Sequence, residues 1–436
     1  MKTKFSAIVV ALMAVGAVST AFAASEADLE RSFFPYKNGA PTFPGLTDGT
    51  VLTAKNVDQF KDTLDPAMYD MVKRGWTEMP IAKTTSFDMN KPYVEASRAN
   101  MNKAKLGPKL GDIEGYVAGR PFLEEPSMND PRAAEKIMWN YKYGVNWGDN
   151  GTISPFYWKY RNLATGQVDK TLKVHFNFLN FTHRVEHEPK PNVPGNASNL
   201  FRAIYMTVES PPDLKNTQLL IQRYEDDSKK DDAYLYLGFQ RRVRRLATGQ
   251  VTDSFLGADL MIQDFEGYND RLSAYTWKFL GAKTIMMPYY YHNNLQLATD
   301  MPAESDGYKF VDFNGQGGCF QKITWQLRKV YAVEGAPVDP SPIGKRLLYI
   351  DAQTNTINRS VIYDKKGEIW KTFTIGKAHP DFHHPVNKGS GIPIDDSFSL
   401  VDLQSKRCTT GQFKGLIDPK LSPPAKFQVQ FMRGGD

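Results

Sequence analysis

A mainly β chain with some helix (α+β), built on one large antiparallel sheet with its helices gathered near the N-terminus, is the fold class this sequence predicts. Three observations point there. Aromatic residues make up 12% of the 436 residues, and aromatics favour pleated, half-buried surfaces. From about Thr152 onward apolar residues alternate with period two, where earlier they repeat at three and four. The successive runs are joined by short turns with no strand–helix–strand rhythm, so neighbouring strands should run antiparallel. Such a sheet must hide its edges, and curling into a full or partial barrel with the early helices over the open face is the expected solution.

Composition narrows the class further. Apolar types at 41% and charged types at 23% are an ordinary globular balance, which excludes a fibre or a disordered tail. Two cysteines cannot make a disulfide scaffold, and at about 150 residues per domain the length allows one large or two to three modest domains. The formal net charge is +6, with no block of five or six like charges to mark a nucleic-acid-binding tail.

The chain opens with a signal peptide, placed at residues 1–23. Lys2 and Lys4 precede an apolar stretch from Phe5 to Val18, broken only by Ser6 and Gly16, and Ala21-Phe22-Ala23 offers a small-x-small cleavage site. This core is shorter than the roughly 20 residues a membrane anchor needs, and no cysteine follows to carry a lipid. No later run is long enough to span a bilayer, so the expected mature protein is exported, soluble and periplasmic. In that oxidising space Cys319 and Cys408 can pair. The bond would close a loop of about 90 residues, worth roughly 4–5 kcal/mol in the chain-entropy model. Two free buried thiols are the alternative; compartment alone favours the disulfide.

Residues 24–150 read as helices and loops packing on the sheet. Thr53 can cap a helix in which Val57, Phe60 and Leu64 share a face. Asp65-Pro66 restarts it, Asp as N-cap and Pro in the first turn, with Met68, Met71 and Val72 as the buried stripe and Gly75 as the stop. Asp130-Pro131 starts another, with Ala134, Ile137, Met138 and Tyr141 along one face until Gly144. Pro92 to Pro126 between them is loop-rich, with a short helix near Glu95 to Lys105.

Residues 151–436 read as the sheet. Phe156, Trp158 and Tyr160 alternate, a turn at Ala164-Thr165-Gly166-Gln167 follows, and Leu172, Val174, Phe176 and Phe178 alternate back. The string Leu-Ala-Thr-Gly-Gln-Val occurs at Leu163–Val168 and again at Leu246–Val251, and both copies read as strand–turn–strand connections with Gly in the positive-φ place. Further strands are expected at Ala203–Ser210, Gln218–Tyr224, Ala233–Leu246, Ala274–Met287, Thr324–Val333, Leu347–Asp351, Asn358–Tyr363, Glu368–Ile375 and Phe398–Leu403.

Few residues suggest chemistry. His183-Arg184-Val185-Glu186-His187 is an H-x-x-E-H string of the inverzincin type, whose zinc site needs a helix to bring both imidazoles to one face. Here it follows a strand and is cut off by Pro189, Pro191 and Pro194. In a strand its two histidines would lie about 13 Å apart, so exposed strand-end histidines are the expectation. His379, Asp381, His383 and His384 read as solvated loop residues. Arg241, Arg242, Arg244 and Arg245 form the densest basic cluster; an extended chain divides them between both faces, as paired surface charges or as contacts to an anionic ligand or lipid head. No G-x-S-x-G elbow, dinucleotide loop or phosphate loop is present. The reading is therefore no enzyme, no cofactor and no metal.

The run Tyr234-Leu-Tyr-Leu-Gly-Phe-Gln-Arg-Arg-Val-Arg-Arg-Leu246, followed by Asp253-Ser-Phe-Leu-Gly-Ala-Asp-Leu260 and Asp264-Phe-Glu-Gly-Tyr268, resembles the core signature of one family. This is the periplasmic family called domain of unknown function 1329, which is similar to outer-membrane lipoprotein-sorting proteins of the LolA and LolB kind. Val117-Ala-Gly-Arg-Pro-Phe122, Arg346-Leu-Leu-Tyr-Ile-Asp351 and Tyr363-Asp-Lys-Lys-Gly-Glu-Ile-Trp370 extend the resemblance over most of the mature chain. It implies a half-open antiparallel barrel with an apolar concave face lidded by helices and loops. It also implies company with outer-membrane barrel proteins or export pumps handling hydrophobic compounds.

The expected function is a periplasmic carrier for a lipid, a lipoprotein acyl anchor or another hydrophobic compound. Phe156, Trp158, Phe176, Phe178, Leu237 and Phe239 are expected to line the cleft, with Arg242 and Arg244 meeting a head group at its rim; the same aromatics would equally serve as plain core. A metal-dependent hydrolase using His183, Glu186 and His187, or a non-carrying assembly factor docked on an outer-membrane barrel, are the alternatives.

Overall fold

The computed structural model describes residues 23–246 and 252–433. The signal peptide, save its last residue, and all but the first residue of the second Leu-Ala-Thr-Gly-Gln-Val copy lie outside the described residues. Four α-helices precede the sheet: α1 (Glu26–Phe33), α2 (Pro66–Lys73), α3 (Lys91–Ala99) and α4 (Ala133–Lys142). α1 starts on a capping box between Ser25 and Asp28. α2 starts where Asp65 accepts from the amides of Ala67 and Met68. The helix expected from Thr53 is a 3-10 helix at Val57–Thr63, since the chain turns into the Asp65 cap before an α-helix can lengthen. The Asp130-Pro131 helix begins only at Ala133, after a turn.

The sheet follows in thirteen strands. They are β1 (Asn150–Asn162), β2 (Val168–Asn180), β3 (Leu200–Ser210), β4 (Gln218–Tyr224), β5 (Asp232–Leu237), β6 (Arg242–Arg245), β7 (Tyr275–Met287), β8 (Gln326–Pro337), β9 (Ile343–Asp351), β10 (Ile357–Asp364), β11 (Ile369–Ala378), β12 (Ile394–Asp402) and β13 (Arg407–Leu416). Across the sheet they run β6-β5-β4-β3-β2-β1-β13-β12-β11-β10-β9-β8-β7, and each adjacent pair is antiparallel. Tyr289–Tyr290 adds a short parallel piece beside β11. Two meanders therefore meet at the β1–β13 pair.

The outer strands β6 and β7 do not pair with each other, which leaves a half-open barrel. The chain must still travel from one edge to the other, and its crossing segment 252–274 runs over the inner face, where Phe255 and Phe265 reach the ring of Trp158. α4 packs beside it on the β7–β9 end of that face, against Phe279, Val333 and Leu348. α2 lies on the opposite, outer face: Asp65 holds the buried guanidinium of Arg359 at 2.8 and 2.9 Å, and Arg359 also reaches Thr372 across the sheet.

Two strand expectations need correction. Ala233–Leu246 is not one strand but the β5–β6 hairpin, because Leu237 O accepts from both Gln240 and Arg241 amides and the chain reverses there. β13 went unread because Arg407-Cys-Thr-Thr-Gly-Gln412 is polar and glycine-bearing, although nearly all of it is buried between β1 and β12.

Candidate functional site

Alternation puts one residue type on each side of the sheet, and the register shows which residues share a side. Directly opposed residues in antiparallel pairs lie on one face, so Phe176, Met206, Leu219, Leu235 and Arg244 form a continuous row from β2 to the edge strand β6. On the other side of the seam, Ile375, Phe398, Gly411 and Trp158 form a second row on the same inner face. Gly411 is needed there: a Cβ would sit 2.7 Å from the Phe156 ring and nearer still to Phe398.

Four of the sequence-selected aromatics converge. Phe156, Trp158, Phe176 and Phe178 wall one cavity together with Trp147, Phe373, Phe398 and Phe413, and the crossing segment closes it with Leu260 and Phe265. Phe156 and Phe413 stand 4.3 Å apart, and Trp147 stacks on Phe178 at 5.0 Å. The cavity measures about 60 Å³, far below the roughly 300 Å³ at which ligand pockets usually begin. In this state the inner face is filled mainly by the chain's own crossing segment.

The other expected lining residues lie elsewhere. Phe239 is 73% exposed at the tip of the β5–β6 hairpin, because the strand turns back at Gly238 and carries it out of the sheet. Leu237 is half-buried at the same end, paired with Arg242. Arg242 and Arg244 are exposed, on the inner-face side of the edge strand. A second cleft of about 270 Å³ opens near this edge, between Ile221, Ala233 and Leu246 on one meander and Tyr275 and Pro337 on the other, with Arg271 beside it.

The crossing segment is pinned rather than laid loosely. The fully buried Arg346 of β9 binds Asp264 at 2.7 Å and the Gln263 side chain at 2.9 Å, and Asp264 in turn accepts from the Met261 amide. Two residues on, Glu266 takes φ +58°, a left-handed conformation that costs a non-glycine residue about 1 kcal/mol or more. Glu266 joins the cavity wall, as does Asp395 of β12. Glu266 Oε1 accepts from Arg202 at 3.0 Å and Asn146 at 2.9 Å, while Lys377 pairs with Asp395 and reaches Asn146 at 3.2 Å. Burial pushes the Asp395 carboxyl above its ordinary range, partly offset by Lys377.

The H-x-x-E-H string is neither strand nor helix. After β2 it bends at His183 (φ +59°), whose ring is held between Val117 O and Glu225, the latter at 2.9 Å. Arg184 is buried, and the amides of Val185, Glu186 and His187 all donate to the Asp149 carboxylate at 2.7–3.1 Å. Glu186 instead meets Asn90 at 3.1 Å, so the three side chains do not face one metal. Far from being exposed, Glu186 is pushed up to about 7, first by burial and then by the Asp149 charge.

Among the described residues, one group of three donors comes within 4.8 Å of one another: His292, His383 and Asp396, all buried on the outer face. The solvated-loop expectation fails for His383, because turns at Pro380–Phe382 and Pro385–Asn387 fold it inward against Tyr308. The amide NH₂ of Asn387 faces His383 Nδ1 at 3.0 Å, since Asn387 Oδ1 already accepts from Ile417. Nε2 therefore carries the ring proton and donates to Tyr308, which passes its own hydrogen to Phe413 O. A ring so committed has no lone pair for a metal; the trio is a hydrogen-bond junction, with His292 2.6 Å from Asp396. Burial, ahead of the neighbouring cations, holds His383 well below the usual histidine range. Cys319 and Cys408 are joined in a disulfide, Cα to Cα 6.0 Å, tying the loop before β8 to β13.

A half-open antiparallel barrel with an aromatic inner face and a crossing segment seated on it defines the architecture. The chain belongs to the family described as protein of unknown function (DUF1329), whose model matches residues 51–433. It is 26% identical over 387 residues to the uncharacterised protein PA3922 of Pseudomonas aeruginosa, covering 86% of this chain and 76% of that one. A DUF1329 family protein from Desulfovibrio piger superposes with a TM-score of 0.47 at 16% identity, over 70% of this chain and 100% of that one. A domain from Vibrio parahaemolyticus named for outer-membrane lipoprotein sorting gives 0.45 at 16%, over 68% and 97%.

Proposed function

We propose that this protein is a periplasmic carrier that shelters a hydrophobic compound on the inner face of its half-barrel, passing it to outer-membrane or export machinery. The observation that carries this is the aromatic cavity: a wall of Phe and Trp side chains from both meanders, sealed by apolar side chains of a segment outside the sheet. Leu260 and Phe265 stand where a guest would stand, so loading means exchanging them for the guest. Burying an acyl chain yields about 0.8 kcal/mol per CH₂, and a chain of ordinary length offsets the loss of two or three such contacts. Arg242 and Arg244 are exposed at the open edge, clear of the aromatic wall. No helix among the described residues is long and apolar enough to cross a membrane, which agrees with a diffusing carrier.

Organic extraction of the exported protein followed by mass spectrometry tests this. A stoichiometric apolar compound is the expected result, with faster uptake of a fluorescent fatty acid or apolar dye in Phe265→Ala than in wild type. Repeatedly empty extracts, with no uptake by either protein, would leave only a structural or docking role.

A further inference from the structure

The cavity wall is almost wholly apolar, and the two charged residues in it stand out. Glu266 and Asp395 both enter the wall and are linked through Asn146 and Lys377, so they belong to one end. Their charges are balanced one for one, Glu266 by Arg202 and Asp395 by Lys377. Hydrogen-bonding capacity is not exhausted: among the described residues Glu266 Oε2 has no donor, and the buried Nε1 of Trp147, which also lines the cavity, has no acceptor. The side chains of Glu266, Asp395 and Lys377 are each at least nine-tenths buried. The left-handed backbone at Glu266 is retained in a segment where glycine stands next door, at Gly267. Buried polar groups are normally satisfied, and a charge-balanced end with donors and acceptors both open calls for a neutral group that does both.

We propose that the guest of the inner face is a hydrophobe bearing a hydroxyl group, held at this end by Glu266 and Asp395. The inference rests on the carrier reading and narrows it. A guest carboxylate would be a third anion beside two balanced ones, and an ammonium would be an unbalanced cation, each disfavoured by burial. A bare acyl tail would leave the open groups unpaired. A hydroxyl donates to a carboxylate and accepts from an N–H. The hydroxyl could sit on a simple long-chain or ring alcohol or on the glycerol of a monoacyl lipid.

Displacement of a bound apolar naphthylamine dye from the mature protein at pH 7.5 tests the assignment. The competitors are 1-dodecanol, its methyl ether, dodecanoic acid and 1-monolauroylglycerol. One charge-assisted hydrogen bond corresponds to about tenfold or more, so the alcohol should outcompete the ether and the acid by at least that factor. Glu266→Gln, checked for an unchanged melting profile, should shrink the gap to about threefold or less. Stronger competition by the monoglyceride than by dodecanol supports the proposal with a lipid source, and the reverse order supports it with a simple alcohol. An ether or acid that competes as well as the alcohol overturns the hydroxyl assignment and leaves the carrier standing. No dye binding, together with empty extracts, overturns both.

Discussion

On the outer face of the sheet, each buried carboxylate described above meets its partners: Asp65 lies against Arg359, and Asp396 lies between Tyr290 and His292. On the inner face the wall is aromatic, and its two carboxylates stand beside unfilled space with bonding capacity to spare. Both faces are buried, so burial alone does not separate a face built to be covered permanently from one built to exchange its cover. Polar satisfaction at the cavity wall does, for away from the cavity the inner-face Asp264 is as fully paired with Arg346 as Asp65 is with Arg359. A buried ion pair resists being opened, because removing one partner strands a charge, whereas aromatic contacts are non-directional and survive the replacement of one apolar surface by another.

The sharpest way to break this contrast is at Asp65. Asp65→Asn keeps a good helix cap for α2 but removes the charge facing the buried Arg359. A loss of about 3–5 kcal/mol in urea denaturation is expected. A loss below about 1 kcal/mol would mean that the outer cover is held by apolar contact, as Leu260 and Phe265 are over the cavity, and the distinction between the outer face and the cavity wall would fail.

The sheet was legible in the sequence because alternation is a backbone property that tertiary context seldom overrides over nine or more residues. Spacing alone put Phe156 with Trp158, and Phe176 with Phe178, on one side of their strands; the register of the two strands then brings all four to one cavity. Phe239 was misplaced because Gly238 lies inside an alternating run, and a tight reversal there leaves the period unchanged up to the break. The filling of the hollow was not legible. Leu260 and Phe265 lie in irregular chain, where no period marks a buried side, and their placement depends on Arg346 holding Asp264 some 80 residues away in sequence. Glu266, Asp395, His292 and Asp396 were missed for the same reason: single polar residues become a site only through partners that the fold brings from distant strands.

A place that follows neither plan sharpens the comparison through pH. Glu186 Oε2 is buried with no donor among the described residues, and the group is pushed up to about 7. A carboxyl whose folded pKa is raised binds more protons folded than unfolded between about 4.5 and 7. Its contribution is fully present below 4.5 and is lost as pH rises through 7, by on the order of 3 kcal/mol. Nearby Glu225 runs the other way: burial alone would raise it, but hydrogen bonds from His183, Tyr143 and Thr182 pull it down to about 2. Its contribution is complete above 4.5 and fades below that, so the two windows do not overlap. Urea midpoints of Glu186→Gln should therefore fall less than those of wild type between pH 5 and 7.5. Parallel curves for the two proteins would show that Glu186 titrates like an exposed carboxyl.

The smallest expected effect probes the inner face at Gly411, where the Phe156 and Phe398 rings close over a bare Cα. Gly411→Ala forces a methyl into that contact. In a tightly packed core the cost of such overpacking is about 1–3 kcal/mol, because neighbouring side chains leave their rotamers. Here the rings border the cavity of about 60 Å³, which gives Phe398 somewhere to go, so the loss should sit near the lower end of that range. The displaced ring would also shrink the space left for a guest, so the variant should bind an apolar dye more weakly while melting nearly as wild type does. A loss of stability at the top of the range with dye binding unchanged would mean that the ring cannot move into the cavity. The inner face would then be as rigid as the outer one, and exchange of Leu260 and Phe265 for a guest would have no room to begin.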